Sequence, residues 1–279
     1  MTSVILALVT ILGAPGLNDP IVLQNRGIRV EVDPDLFTVT HIGTPRGVNF
    51  LRPLPVTKAE RTGVGWVEAG GLHTDLIPYE GSDPALRRGP AEVVEHTPNR
   101  VVLIGPPSKS TPVRLKKEIR IYPGYAKASM TVTVEAVGNA TVRCAVRNTA
   151  RCGPDTSLRI EKSDGAIRPL AGTASPFPSV VKSRRYWIIP IPPTTETSGV
   201  VLGAFVPKVT HQNKSGTLTR RILTMPAGSG SVPNRCTFLC LLDDETRCYT
   251  SALQGATLEI RPGAPAVFKE EWTIKKRGR

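Results

Sequence analysis

The stretch from Trp66 to Gly81, WVEAGGLHTDLIPYEG, gathers a Trp, a Tyr, a His, an Asp and two Glu beside a Gly-Gly turn signal. No other part of the chain concentrates so many chemically active side chains near a turn. Gly70-Gly71 lets the backbone turn where a side chain would clash. His73, Asp75 and Glu80 can then face one cleft, with Trp66 or Tyr79 as a flat apolar wall. Carboxylates and an imidazole suit hydroxyl groups, and an aromatic face suits the C–H groups of a ring. The stretch therefore has the chemistry of a carbohydrate site, with Asn49 and Arg52 behind it as further polar contacts. The competing reading is a hairpin with its charged residues on the wet side.

The elements that must position these residues are strands. From residue 20 onward short apolar alternations are punctuated by Gly, Pro, Asn and Asp. Gly27 to Val32 alternates cleanly and buries Ile28, Val30 and Val32. Leu36 to Ile42, Val101 to Ile104, Val113 to Ile121, Thr217 to Leu223, Cys236 to Leu242 and Val267 to Ile274 read the same way. Met130 to Val137, Gly138-Asn139 and Ala140 to Val146 predict a hairpin. Residues 154 to 178 read as irregular, because Gly and Pro interrupt them. Turn signals recur at short spacing and no long stretch has helical periodicity, which predicts an all-β fold: a large antiparallel sandwich over residues 17–279 as one domain.

Residues 1–16 differ from the rest. Val4 to Leu12 is an apolar or small run, VILALVTIL, and Gly13, Ala14, Pro15 and Gly16 follow it. This reads as a short signal peptide, although Met1-Thr2-Ser3 carries no Lys or Arg. The expected location is periplasmic or secreted. No apolar run reaches the length of a membrane-spanning helix.

The five cysteines lie in the second half of the chain. In an oxidising compartment Cys240 with Cys248, and Cys144 with Cys152, could form two local disulfides, each across a turn, leaving Cys236 over. Buried thiols on strands are the other reading. The spacings lack the tight pairs and nearby His of a zinc site, so no metal is expected. The net charge of +13 could hold a polyanion such as an acidic polysaccharide. The basic doublets are dispersed and no nucleic-acid motif or aromatic-rich sheet accompanies them, which argues against nucleic acid. No P-loop, dinucleotide-binding glycine pattern, nucleophile elbow or His-Glu-x-x-His motif is present, so no cofactor is implied.

The order of elements resembles the galactose mutarotase-like, or aldose 1-epimerase, β-supersandwich, in a bacterial branch rather than in its enzymes. The segments that carry the resemblance are Gly27 to Pro34 with Gly47 to Leu51, Ile121 to Gly124 with Met130 to Asn139, and Leu258 to Gly263 through Glu270-Glu271-Trp272-Thr273-Ile274. Mutarotation needs an acid for the ring oxygen and a base for the anomeric hydroxyl proton, and the family supplies two His and one Glu from different strands. His73 is the match for a site histidine. The Glu is expected before Arg261-Pro262-Gly263, where Cys248 to Gly255 holds no carboxylate, and Gln254 cannot act as a base. His41, His96 and His211 stand alone. The resemblance thus implies an exported carbohydrate-binding sandwich without clear catalytic machinery. The alternatives are an epimerase, mutarotase or lyase-like enzyme using a displaced base such as Glu68 or Glu80, with His73 as its partner, and a structural or interaction sandwich with a basic surface.

Overall fold

A computed structural model describes residues 19–52, 71–78, 90–108, 111–152, 156–171, 180–189, 201–225, 227–243 and 248–277. The proposed signal segment, Trp66, Glu68, Tyr79 and Glu80 lie outside the described residues.

The described chain forms two ten-stranded antiparallel sheets. The first runs β1 (Ile21–Gln24), β2 (Arg29–Asp33), β3 (Thr38–Gly43), β4 (Leu72–Ile77), β9 (Val142–Arg151), β18 (Cys248–Gln254), β17 (Phe238–Asp243), β14 (Val201–Ala204) and β11 (Arg168–Ala171), with β19 (Leu258–Ile260) also on β9. The second runs β12 (Val181–Lys182), β13 (Tyr186–Ile189), β10 (Ser157–Glu161), β15 (Lys208–Asn213), β16 (Gly216–Ile222), β20 (Ala266–Lys276), β8 (Lys127–Ala136), β7 (Val113–Ile121), β6 (Arg100–Ile104) and β5 (Glu92–Thr97). The sheets face each other over a core that includes Phe37, Phe50, Phe238 and Trp272, all fully buried. Period-2 alternation drives this: β20 buries Ala266, Phe268, Glu270, Trp272 and Ile274 and turns the residues between them outward. Among the described residues no helix is long and apolar enough to cross a membrane.

Three sequence expectations are corrected. Met130 to Val146 is not a hairpin. β8 pairs with β7 and β20 in one sheet, while β9 pairs with β4, β18 and β19 in the other, so Gly138-Asn139 carries the chain between sheets. Both halves have an apolar face that needs covering, and crossing the core covers both. Residues 154–178 are not wholly irregular, because β10 and β11 lie within them.

The cysteine pairing is also corrected. Val142–Arg151 is one continuous strand, so no turn brings Cys144 to Cys152. Eight residues of strand separate them by roughly 27 Å, far beyond disulfide reach. Cys240 and Cys248 do stand on hairpin partners, but the register pairs Cys240 with Ser251 and Cys248 with Asp243. No disulfide joins any two of Cys144, Cys152, Cys236 and Cys240.

Candidate functional site

β4 is buried on both faces, with only Ile77 partly exposed. Leu72, Thr74 and Leu76 point into the core between the sheets, so His73 and Asp75 point to the opposite, outer face of the first sheet. Gly71 opens the strand at φ +68, and a Cβ there would collide with the Val39 carbonyl. The Gly therefore does what its sequence context suggested: it admits the chain to a position closed to other residues.

The strand register assembles the outer face. His73 stands opposite Thr149, Thr149 opposite Ala252, Ala252 opposite Leu239, and Leu239 opposite Gly203. Beside that row, Asp75 stands opposite Arg147 and Arg147 opposite Gln254. His73 Nε2 lies 3.3 Å from Asp75 Oδ2, and the Thr149 hydroxyl donates to the same oxygen at 3.2 Å. The carboxylate thereby orients an imidazole and a hydroxyl together. Arg147 and Arg151 alternate with Thr149 on the same face of β9. At the apolar end of the row, Leu239 and Ala252 join Cys236 and Leu170 in a small cluster separate from the main core. The outer face thus grades from ionic and hydroxylic groups to a small apolar patch.

The other expected site residues take different places. Arg52 is held beside this face by its backbone: its N–H donates to Arg151 O at 2.9 Å, and its carbonyl accepts from Gly71 N at 2.9 Å. Asn49 is a backbone clasp. Its Oδ1 accepts from Ile42 N and Leu51 N at 3.0 Å each, and its Nδ2 donates to Thr40 O at 2.8 Å. These bonds hold the chain after β3 to that strand and turn the amide away from ligand work. His41 is partly buried, and burial holds its pKa below the usual imidazole value, ahead of the opposing pull of Glu31.

Arg147, Thr149, Arg151 and Gln254 were missed as site residues. The signal was present: VRNTARC places polar residues at 147, 149 and 151, every second position of a strand. Ending the strand at Val146 hid it. Gln254 occupies the end of β18, close to where the resemblance expects a catalytic Glu. Its Oε1 accepts from Arg147 Nε at 3.1 Å, while its Nε2 donates to Pro233 O at 2.8 Å and Cys236 O at 2.5 Å. The amide is fully engaged, and an amide is not a base at neutral pH.

Behind the outer face lies a second polar group, sealed between the sheets. Arg220 donates through Nε to Glu270 Oε1 at 2.6 Å and through Nη2 to Oε2 at 3.1 Å, with both side chains fully buried. Arg220 also donates to Ser251 O and Asn148 O. Trp272 Nε1 donates to Glu270 Oε1 at 2.6 Å, and Asn148 Nδ2 to Glu270 Oε2 at 3.2 Å. Of the neighbouring pair Glu270-Glu271, only one can share the inner face with Trp272. The strand period makes that residue Glu270, and Glu271 faces Lys127 outside. His211 Nδ1 sits 3.3 Å from Cys152 Sγ. Its pKa falls well below the usual value, first through burial and then through the Arg220 charge, so the ring is neutral. Among the described residues no group of three or more His, Cys, Asp or Glu could hold a metal ion.

No protein-family model matches the sequence, and no curated protein is similar to it in sequence. Solved structures do match in fold. A candidate aldose 1-epimerase from Escherichia coli K12 superposes with a TM-score of 0.63 at 10% identity, over 93% of this chain and 99% of the other. A galactose mutarotase related enzyme from Lactobacillus acidophilus gives 0.61 at 8% identity, over 92% and 97%. A galactose mutarotase-like protein from Lactobacillus casei gives 0.60 at 10% identity, over 92% and 100%. The fold is galactose mutarotase-like. Within this mutarotase-like fold the His73–Asp75–Thr149 cluster lies near the centre of the first sheet, on β4 and β9.

Proposed function

We propose that the outer face of β4, β9 and β18 binds a carbohydrate and that the protein does not catalyse mutarotation there. The observation that carries the reading is the His73–Asp75–Thr149 cluster, in which one carboxylate aligns an imidazole and a hydroxyl beside Arg147 and Arg151. Such groups donate to and accept from sugar hydroxyls. Mutarotase-like names among proteins of the same fold support the ligand class. Gln254 argues against catalysis, because its amide holds Arg147 and two backbone carbonyls where a base would be wanted. Trp66, Tyr79 and Glu80 belong to the proposed contacts by sequence. Export through residues 1–16 is part of the proposal, and N-terminal sequencing of protein from its native host should find a start between Ala14 and Asn18.

The test is paired. Titration calorimetry against a panel of monosaccharides should find a ligand whose binding falls in His73→Ala. Polarimetry with freshly dissolved glucose and galactose should show no acceleration. Acceleration that disappears in Asp75→Asn would establish the second reading, in which the His73–Asp75 pair acts as the displaced base.

A further inference from the structure

Arg26, Arg46 and Lys276 come from distant parts of the chain and line one open pocket of about 700 Å³, together with Gln24, Asn25 and Thr44. They follow β1, follow β3 and end β20 respectively, and all three side chains are exposed. No carboxylate is among the described residues lining the pocket. Some surface cations elsewhere do have counter-charges, as in Arg29–Glu31, Arg100–Glu118, Arg114–Glu135 and Lys208–Glu161. Among the described residues these three have none. Like charges brought to one concavity repel, so an anion that enters relieves an existing repulsion.

The wall of the pocket is built rather than loose. Asn25 Oδ1 accepts from Gly27 N and Ile28 N, which fixes the turn carrying Arg26. Asn25 Nδ2 donates to Tyr122 O and Tyr125 O at 2.9 Å each, which ties the next turn to the same wall. Tyr125 on that turn is 66% exposed and presents its ring beside the wall. The pocket is also several times larger than a single oxyanion needs.

We propose that this pocket binds an acidic polysaccharide, with Arg26, Arg46 and Lys276 around a sulfate or carboxylate group and the Tyr125 ring against an adjacent sugar. The site shares no residue with the His73 cluster and does not rest on the reading made there. A nucleic acid would meet the charge but finds one ring where a stacked strand uses several.

The full-length protein is titrated with a heparin hexasaccharide, which carries sulfates, and with a polygalacturonate hexasaccharide, which carries only carboxylates. At least one should bind, with affinity falling as salt rises. Arg26→Ala/Arg46→Ala/Lys276→Ala, with an unchanged thermal melt, should lose about tenfold or more. Tyr125→Ala should lose several-fold, whereas Arg184→Ala/Arg185→Ala should bind as the parent does. Failure of both saccharides, an unaffected triple variant or an equal loss in the Arg184/Arg185 control overturns the site. Unchanged affinity in Tyr125→Ala, or tighter binding of a single-stranded oligodeoxynucleotide, overturns the saccharide assignment.

Discussion

Two polar clusters lie back to back on β4 and β9, one residue out of phase with each other. Thr74 and Asn148 point inward, where the Thr74 hydroxyl donates to Asn148 Oδ1 at 2.9 Å and Asn148 joins the Arg220–Glu270 pair. His73, Asp75 and Thr149 point outward. The inward cluster draws its members from both sheets, since Arg220 and Glu270 belong to β16 and β20. The outward cluster is built from a single sheet. A polar group that bridges two sheets resists their separation, while one on a single sheet can change partners without the sheets moving. The inward cluster should therefore govern folding and the outward one binding, although the two are separated by the thickness of a strand.

The largest effect should come from breaking the inward pair. Arg220→Met leaves the Glu270 carboxylate buried without its cation and should cost about 3–5 kcal/mol of stability. Urea denaturation reads this directly. Replacing both partners, as Arg220→Met with Glu270→Leu, should recover part of the loss, because no lone charge then remains in the core. A loss below about 1 kcal/mol in the single variant would mean that the inward cluster does not hold the sheets.

The outward cluster should give the reverse signature. His73→Ala and Asp75→Asn should each weaken carbohydrate binding by about 1–3 kcal/mol through an unmade or misdirected hydrogen bond. Both variants should keep a single cooperative unfolding transition. A collapse of the melt in Asp75→Asn, with binding intact in what folds, would move the outer cluster into the structural class and erase the contrast.

A third group sharpens the comparison through pH. Lys117 on β7 is buried in the core, donates to Phe37 O at 2.6 Å and lies 3.9 Å from the Phe37 ring centre. Both contacts favour the ammonium, as does the Asp75 charge, but burial outweighs them and lowers the pKa to about 7. The folded value is depressed for a base, so between about pH 7 and the usual lysine value near 10.4 the unfolded chain binds the extra proton. Stability should rise with pH across that window by at most about 1.4 kcal/mol per unit, and the cost of the buried amine should be largest below pH 7. Lys117→Met should flatten that slope. An unchanged slope would mean that Lys117 stays charged in the fold.

The sequence made the strands legible because most carry a one-sided apolar alternation, as Gly27 to Val32 and Val113 to Ile121 do. The outer-face residues His73 and Asp75 were legible as chemistry beside a turn. What escaped reading depended on partners distant in the chain. Gly138-Asn139 has the composition of a hairpin turn, and only the second sheet decides that β8 and β9 part. Glu270 sits at an inward position of β20, which a local pattern reads as an error until Arg220 arrives fifty residues away in sequence. Asn49 looks like a ligand contact by type, yet the backbone groups it satisfies belong to β3 and to its own loop.

The smallest expected effect concerns the thiols, and it separates buried side chains from crosslinks. Cys144 lies 2% exposed, and burial pushes its thiol pKa up to about 11. Cys240 is completely buried, and burial raises its thiol well above the usual range, with the neighbouring Cys152 adding to the shift. Thiols held protonated in this way react slowly, since the thiolate is the nucleophile. Among the described side chains Cys144, Cys152, Cys236 and Cys240 are reduced thiols. Dithiothreitol should therefore leave the melting temperature unchanged. Thiol reagents should label Cys144 and Cys240 slowly in the native protein and at full rate in urea. A melting temperature that drops on reduction, or a Cys240–Cys248 peptide in a non-reducing digest, would put a crosslink between β17 and β18. It would also require a different register for that hairpin, because Cys240 now faces Ser251.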